Sequence, residues 1–294
     1  MQSSVVDLLK SGKILLSDGA MGTELRKRGM PTGVCPEEFN ITHPEIIQSI
    51  HQDYYKAGSD IVETNTFGGN RSRLAMHGFE GRVNEFCRKG AELARGVCPQ
   101  GKFVGGSIGP TGDLLEPLGT RTLAEVYDIF TEQAESLAEG GVDCFYIETM
   151  MAAEESEIAI KAAKDHTGLP VIATMTFELG QAGYRTMWGV DIATAVQRLT
   201  DAGADVIGAN CGKGVEEMIG IISEMKPLTS LPIIAQANAG LPDWVDGVSM
   251  YKETPEVIAP KIEQLLKIGL NILGGCCGTG PAHIKKMREI LDRR

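Results

Sequence analysis

The sequence predicts a (β/α)8 barrel of the α/β class, built as a single domain over residues 1–294. Eight short runs of aliphatic and β-branched residues recur along the chain, and each is followed by a longer amphipathic stretch. Three of the intervening helices end alike, at Ala57-Gly58-Ser59-Asp60, Gly140-Gly141-Val142-Asp143 and Ala202-Gly203-Ala204-Asp205, where a glycine stop leads straight into the next run. The nearest alternative is an open doubly wound sheet. The barrel is favoured because the runs number eight and no Gly-x-Gly-x-x-Gly opens a helix after the first of them.

The runs follow in order. Ile14-Leu15-Leu16 leads to Asp18-Gly19. Asp60-Ile61-Val62-Glu63 leads to Thr64-Asn65. Phe103 to Ile108, Cys144 to Glu148 and Val171 to Phe177 are the third, fourth and fifth. Asp205 to Cys211, Ile233 to Asn238 and Asn271 to Cys277 complete the set. Between them, Pro44 to Ala57 sets Ile46, Ile47, Ile50 and Tyr54 on one face at helical spacing. Thr122 and Glu125 form a capping box that starts a helix running to Gly140. Ile192 to Ala202 stops at Gly203. Pro255 sits in the first turn of the next helix and Pro281 opens the last. No linker or low-complexity segment divides the chain.

With 294 residues the chain can bury a sizeable core without disulfide staples. Its seven cysteines are an odd set with no repeating framework, no signal peptide opens the chain, and no apolar run is long enough to cross a bilayer. These features predict a reducing, cytoplasmic setting in which thiols stay free or bind metal. A formal net charge of −11 argues against a nucleic-acid partner, which would need a basic face for the phosphates.

Barrel enzymes carry their chemistry at the C-terminal ends of the strands. Asp18, Asn65, Glu148, Cys211, Asn238, Cys276 and Cys277 all fall at such ends. Cys211 would lie at the tip of strand six and Cys276–Cys277 at the tip of strand eight, flanking strand seven. Gly274 and Gly275 would let the backbone bend so that the adjacent cysteines both face inward. Cys35, Cys87, Cys98 and Cys144 read as ordinary core thiols. Three thiolates can hold zinc and leave its fourth position open, which is the mark of a site for chemistry. Such a zinc is a weak Lewis acid towards oxygen and suits a soft ligand. A substrate thiol bound there loses its proton and stays nucleophilic towards an activated methyl group.

The ordered pieces Asp18-Gly19-Ala20-Met21-Gly22-Thr23-Glu24-Leu25, Thr64-Asn65-Thr66-Phe67, Gly109-Pro110-Thr111-Gly112, Glu148-Thr149, Asn210-Cys211, Asn238-Ala239-Gly240 and Gly274-Gly275-Cys276-Cys277-Gly278-Thr279 give the chain a resemblance to the homocysteine S-methyltransferase family over almost its whole length. It looks most like the homocysteine-binding module of the cobalamin-dependent methionine-synthase branch. The resemblance implies a (β/α)8 barrel with zinc on Cys211, Cys276 and Cys277, and homocysteine bound through its sulfur. Asn238 matches the asparagine that can fill the metal's fourth place in the substrate-free state. Asp18 and Glu148 match the acids that anchor the substrate's ammonium, as charge-assisted hydrogen bonds would. Backbone N–H groups of Gly19, Ala20 and Met21 could hold its carboxylate.

The donor is less determined. None of the five histidines supplies an Asp-x-His-x-x-Gly corrinoid motif, so methylcobalamin on a separate corrinoid protein is the first expectation. A small onium donor (S-methylmethionine, S-adenosylmethionine or betaine) is the alternative, with Trp188 and Trp244 near the mouth as aromatic faces for it. Methylation of a different small thiol is a further alternative. A third reading, a zinc-stabilised barrel that only binds a partner, predicts folding that depends on metal.

Overall fold

The structure, a computed structural model, describes residues 4–245 and 248–294, and their side chains except at 244–249. Eight parallel strands form a nearly closed barrel: β1 (Leu15–Leu16), β2 (Ile61–Glu63), β3 (Phe103–Ile108), β4 (Cys144–Met150), β5 (Val171–Met175), β6 (Val206–Cys211), β7 (Ile233–Ala237) and β8 (Ile272–Gly275). Their order is β1-β8-β7-β6-β5-β4-β3-β2, so β1 and β2 flank the seam. Asp60 clasps that seam. Its N–H donates to the Leu16 carbonyl at 2.6 Å, its carbonyl accepts from the Phe103 N–H at 2.9 Å, and its carboxylate accepts from the Leu16 N–H at 3.0 Å. Lys102 and Arg288 pair with the same carboxylate, tying the last helix, Pro281–Leu291, to the seam.

Two apolar layers hold the barrel. The inner one gathers Leu15, Ile61, Phe103, Ile172, Val206, Ile234 and Ile272 from the N-terminal ends of the strands, and Val5 and Leu9 of the first helix, Val5–Lys10, plug it. The outer one packs the helices on the sheet, where parallel strands need cover on both faces. The helix Pro44–Ala57 buries Ile47, Ile50 and Tyr54, as its spacing predicts. Thr122 and Glu125 exchange the two bonds of a capping box at the head of Leu123–Glu139. The three glycine stops, Gly58, Gly141 and Gly203, all have left-handed φ. Two short antiparallel hairpins, Glu178–Gly180 with Gly183–Arg185 after β5 and Pro242–Val245 with Val248–Tyr251 after β7, occupy stretches that read as loops. The first is exposed or half-exposed throughout, so it lacks the apolar alternation that announces a strand. Among the described residues no helix is long and apolar enough to cross a membrane.

Candidate metal centre and acid pocket

Cys211 is the last residue of β6, and it stands in register with Ala237 of β7. Its φ is +67°, a left-handed conformation that side-chain-bearing residues rarely adopt. The conformation lifts the thiol off the strand's alternation. Cys276 and Cys277 follow β8 directly. The Cys276 N–H donates to the Ala237 carbonyl at 2.9 Å, and the Cys277 carbonyl accepts from the Ala239 N–H at 2.9 Å. The chain then turns, with the Thr279 hydroxyl and N–H both donating to the Cys276 carbonyl, at 2.6 and 3.0 Å. This turn lets neighbouring cysteines share one side.

The preceding glycines act otherwise than the sequence suggests. Neither Gly274 nor Gly275 has a left-handed φ. What they supply is close approach. A Cβ on Gly275 would lie 2.1 Å from Thr279 Oγ1, and one on Gly274 2.9 Å from Ser17 Cβ.

The three sulfurs lie within 4.8 Å of one another. All three cysteines are free thiols. Hydrogen bonds from Cys276 and Cys277 pull the Cys211 thiol down to about 3, making it the shared acceptor. The same contact to Cys211 raises Cys276 well above its usual value and Cys277 to about 11. Asn238 lies beside this cluster: its N–H donates to the Cys211 carbonyl at 3.3 Å and its Nδ2 to the Gly212 carbonyl at 2.6 Å. Its Oδ1 is buried with no partner. A soft trio of sulfurs next to an unsatisfied amide oxygen fits a zinc ion of four ligands.

Deeper in the barrel three carboxyl groups meet. Asp18 follows β1, Glu63 ends β2 and Glu148 lies near the end of β4. Asp18 Oδ2 accepts from the Glu63 N–H at 2.9 Å, which adds a side-chain stitch to the seam, while Asp18 Oδ1 is buried and unpartnered. Glu63 Oε1 accepts from Gln236 Nε2 at 2.5 Å and from Ser17 Oγ at 3.2 Å. Glu148 Oε1 accepts from Ser107 Oγ at 2.6 Å, and Oε2 from Asn210 Nδ2 at 3.3 Å. Burial, and then neighbouring negative charge, pushes the Asp18 and Glu63 carboxyls well up. Burial also raises Glu148, against hydrogen bonds from Ser107 and Glu63. No cation of the chain pairs with any of the three among the described residues. Such a pocket calls for an external ammonium.

Several expectations change here. Asn65 ends at a strand tip but faces the loop below, donating to the Pro36 carbonyl at 2.7 Å and to Asn40 Oδ1 at 3.0 Å. The Ala20 N–H is already bonded to the Thr279 carbonyl at 2.9 Å, so it is not a free donor for a carboxylate. Trp188 is half-exposed in the loop after β5, with no aromatic partner among the described residues. The Trp244 side chain lies outside the described residues. Glu63, Gln236 and Asn210 have no assigned role in the sequence reading, although each faces the pocket. The available signal was their position at or near strand ends; nothing local tells which side of the strand faces the axis.

A family model described as "Homocysteine S-methyltransferase" matches residues 15–291. The chain is 32% identical over 305 aligned residues to the methionine synthase of Mycobacterium tuberculosis (strain ATCC 25618 / H37Rv), covering 97% of this chain and 25% of that protein. It is 31% identical to the methionine synthase of Mycobacterium leprae (strain TN), covering 98% and 25%. The chain thus spans about a quarter of the length of the curated relatives it matches. Among solved structures, the metallated form of the homocysteine methyltransferase MmuM from Escherichia coli superposes with a TM-score of 0.80 at 24% identity, covering 96% of this chain and 98% of that one. Its oxidized form gives 0.79 at 25%, covering 96% and 97%. These likenesses agree on the barrel.

Proposed function

We propose that this chain, which belongs to the homocysteine S-methyltransferase family, transfers a methyl group to the thiol of homocysteine and gives methionine, with zinc held by Cys211, Cys276 and Cys277. The observation that carries this reading is the gathering of three sulfurs within 4.8 Å of one another, together with an acid pocket that no cation of the chain enters among the described residues. One region suits a thiol and the other an ammonium, the two ends of a thiol amino acid.

Asn238 Oδ1 would occupy the fourth place until substrate displaces it. Bound there, zinc would take the substrate thiol as a ligand and keep it deprotonated at neutral pH. Asp18 and Glu148 anchor the ammonium, with Glu63 braced between them. With the Ala20 amide engaged elsewhere, the carboxylate role falls to the Gly19 and Met21 amides. The protein's own contribution is orientation: a substrate held at both ends presents its sulfur towards the mouth in one direction. In the transfer a sulfur–carbon bond forms, the bond from that carbon to the donor breaks, and its electron pair stays with the donor.

The resemblance to the methionine-synthase branch supports methylcobalamin as donor, and no Asp-x-His-x-x-Gly corrinoid motif lies within these 294 residues. Trp188 is half-exposed and has no ring partner among the described residues, so on those residues it offers an onium donor no aromatic cage. The test is to give zinc-loaded protein homocysteine with methylcobalamin, S-methylmethionine, S-adenosylmethionine or betaine in parallel. Methionine should form fastest from methylcobalamin, and Cys211→Ser should abolish both zinc content and turnover. Faster methylation from an onium compound would replace the donor, and turnover by the metal-free variant would remove the mechanism.

A further inference from the structure

Asn210 sits at the junction of the two subsites. It precedes Cys211 on β6, and its buried side chain reaches across to the end of β4. Its Oδ1 accepts from the Thr149 N–H at 2.8 Å and from Thr174 Oγ1 at 2.9 Å. Its Nδ2 donates to Thr149 Oγ1 at 2.7 Å and to Glu148 Oε2 at 3.3 Å. Both lone-pair positions and both N–H groups are therefore used. A flipped amide would set Nδ2 against the Thr149 N–H and Oδ1 against a carboxylate, so the orientation is fixed by its partners.

The backbone on either side is strained in a matching way. Thr149 at +60° and Cys211 at +67° are the non-glycine residues with left-handed φ among the described residues. One exchanges two hydrogen bonds with the Asn210 side chain, donating its N–H and accepting at its hydroxyl, and the other is joined to Asn210 by a peptide bond. The β4–β5 register also shifts between Ile147 and Met150, which marks an irregularity spanning Glu148 and Thr149. An irregularity beside a functional strand end re-aims a side chain, and here the side chain is Glu148. Strain of this kind persists only where surrounding bonds over-determine it. Asn210 supplies those bonds on the Glu148 side and shares its peptide with the sulfur cluster on the other.

We infer that Asn210 is a positioning residue that fixes the span between the Glu148 carboxylate and the Cys211 sulfur, and thereby selects the two-methylene side chain of homocysteine over shorter or longer thiol amino acids. The inference rests on the function proposed above. A rigid brace penalises a ligand one methylene too short or too long at one end or the other. A loose brace lets the site close or open around it.

The experiment measures binding, without a methyl donor. Zinc-loaded wild type, Asn210→Ala and Thr174→Val are titrated calorimetrically with homocysteine, cysteine, 2-amino-5-mercaptopentanoate and 2-mercaptoethanol. Thr174→Val removes one bond to Asn210 while keeping shape, and it serves even where Asn210→Ala fails to fold. The wild type should prefer homocysteine to both neighbours. In Asn210→Ala that preference should shrink roughly ten-fold or more, the scale at which a single methylene is discriminated, with a smaller change of the same direction in Thr174→Val. Zinc content and 2-mercaptoethanol affinity should hold in both. Equal weakening of all four thiols, or unchanged preference, overturns the span-setting role while leaving the proposed function standing. No homocysteine binding by the wild type overturns the reading of the site, and the span with it.

Discussion

At the scale of single residues, charge placement decides most of what this site can do. Glu148 is half-buried, and it faces neutral donors but no cation of the chain among the described residues. Glu148→Gln should therefore raise the Kd for homocysteine by about ten-fold or more, the size of a lost charge-assisted bond. The Kd for 2-mercaptoethanol should hardly move; equal losses for both would remove the ammonium role. His51 is a different case. It is fully buried in the helix Pro44–Ala57, and both ring nitrogens lack partners. Burial lowers it from 6.5 to about 3. Below its unfolded value the unfolded chain takes up a proton that the folded chain refuses. This stability is present above pH 6.5 and is lost as pH falls towards 3, by up to about 1.4 kcal/mol per pH unit. His51→Leu should flatten the urea-derived stability curve over that window by one proton's worth. An identical slope in both proteins would show the imidazole is not the group responsible.

At the scale of elements, strand ends and the turns after them carry the chemistry. β8 stops at Gly275, and the turn from Cys276 to Thr279 brings its two cysteines to one side. Gly275→Ala should push Thr279 out of that turn, because the new Cβ would lie 2.1 Å from Thr279 Oγ1. Zinc affinity should fall at least about ten-fold, with far-ultraviolet circular dichroism unchanged; unaltered zinc affinity would show that the turn tolerates the methyl group. The helices were legible because their signals are local: a capping box at Thr122, a proline at 255, glycine at each stop. The hairpin after β5 is not legible because short, solvent-facing strands need no apolar alternation. Asn65 misled for a related reason. It lies beyond the end of β2, where the backbone no longer alternates, and its amide is drawn to Pro36 and Asn40.

At the scale of the molecule, the barrel core and the cysteine cluster are built from different residues. The cysteines sit at or just past the strand ends, outside two apolar layers that need no metal. Removing metal with a chelator should leave the thermal transition in place and the far-ultraviolet spectrum intact, while homocysteine binding is lost. Loss of fold on chelation would favour a zinc-stabilised binding module. The seam is the weak line. Asp60→Ala would remove the carboxylate's bond to the Leu16 N–H and its ion pairs with Lys102 and Arg288, while the backbone bonds of residue 60 stay. A cost of about 3 kcal/mol is expected, the scale of breaking a partly buried ion-pair network, measured as a lower urea midpoint. A midpoint within error of wild type would mean the strands close without it.

The sequence by itself determined the eightfold alternation, the ends of helices such as Pro44–Ala57 and Leu123–Glu139, and the three cysteines that gather at the strand ends, because periodicity, caps and side-chain chemistry are written locally. Tertiary structure alone decided that Glu63 joins Asp18 and Glu148, that Gln236 and Asn210 brace them, and that Asn65 and the Ala20 amide are engaged elsewhere. Those outcomes depend on which face of each strand meets the barrel axis and on partners far away in the chain. Only closure of the sheet fixes either.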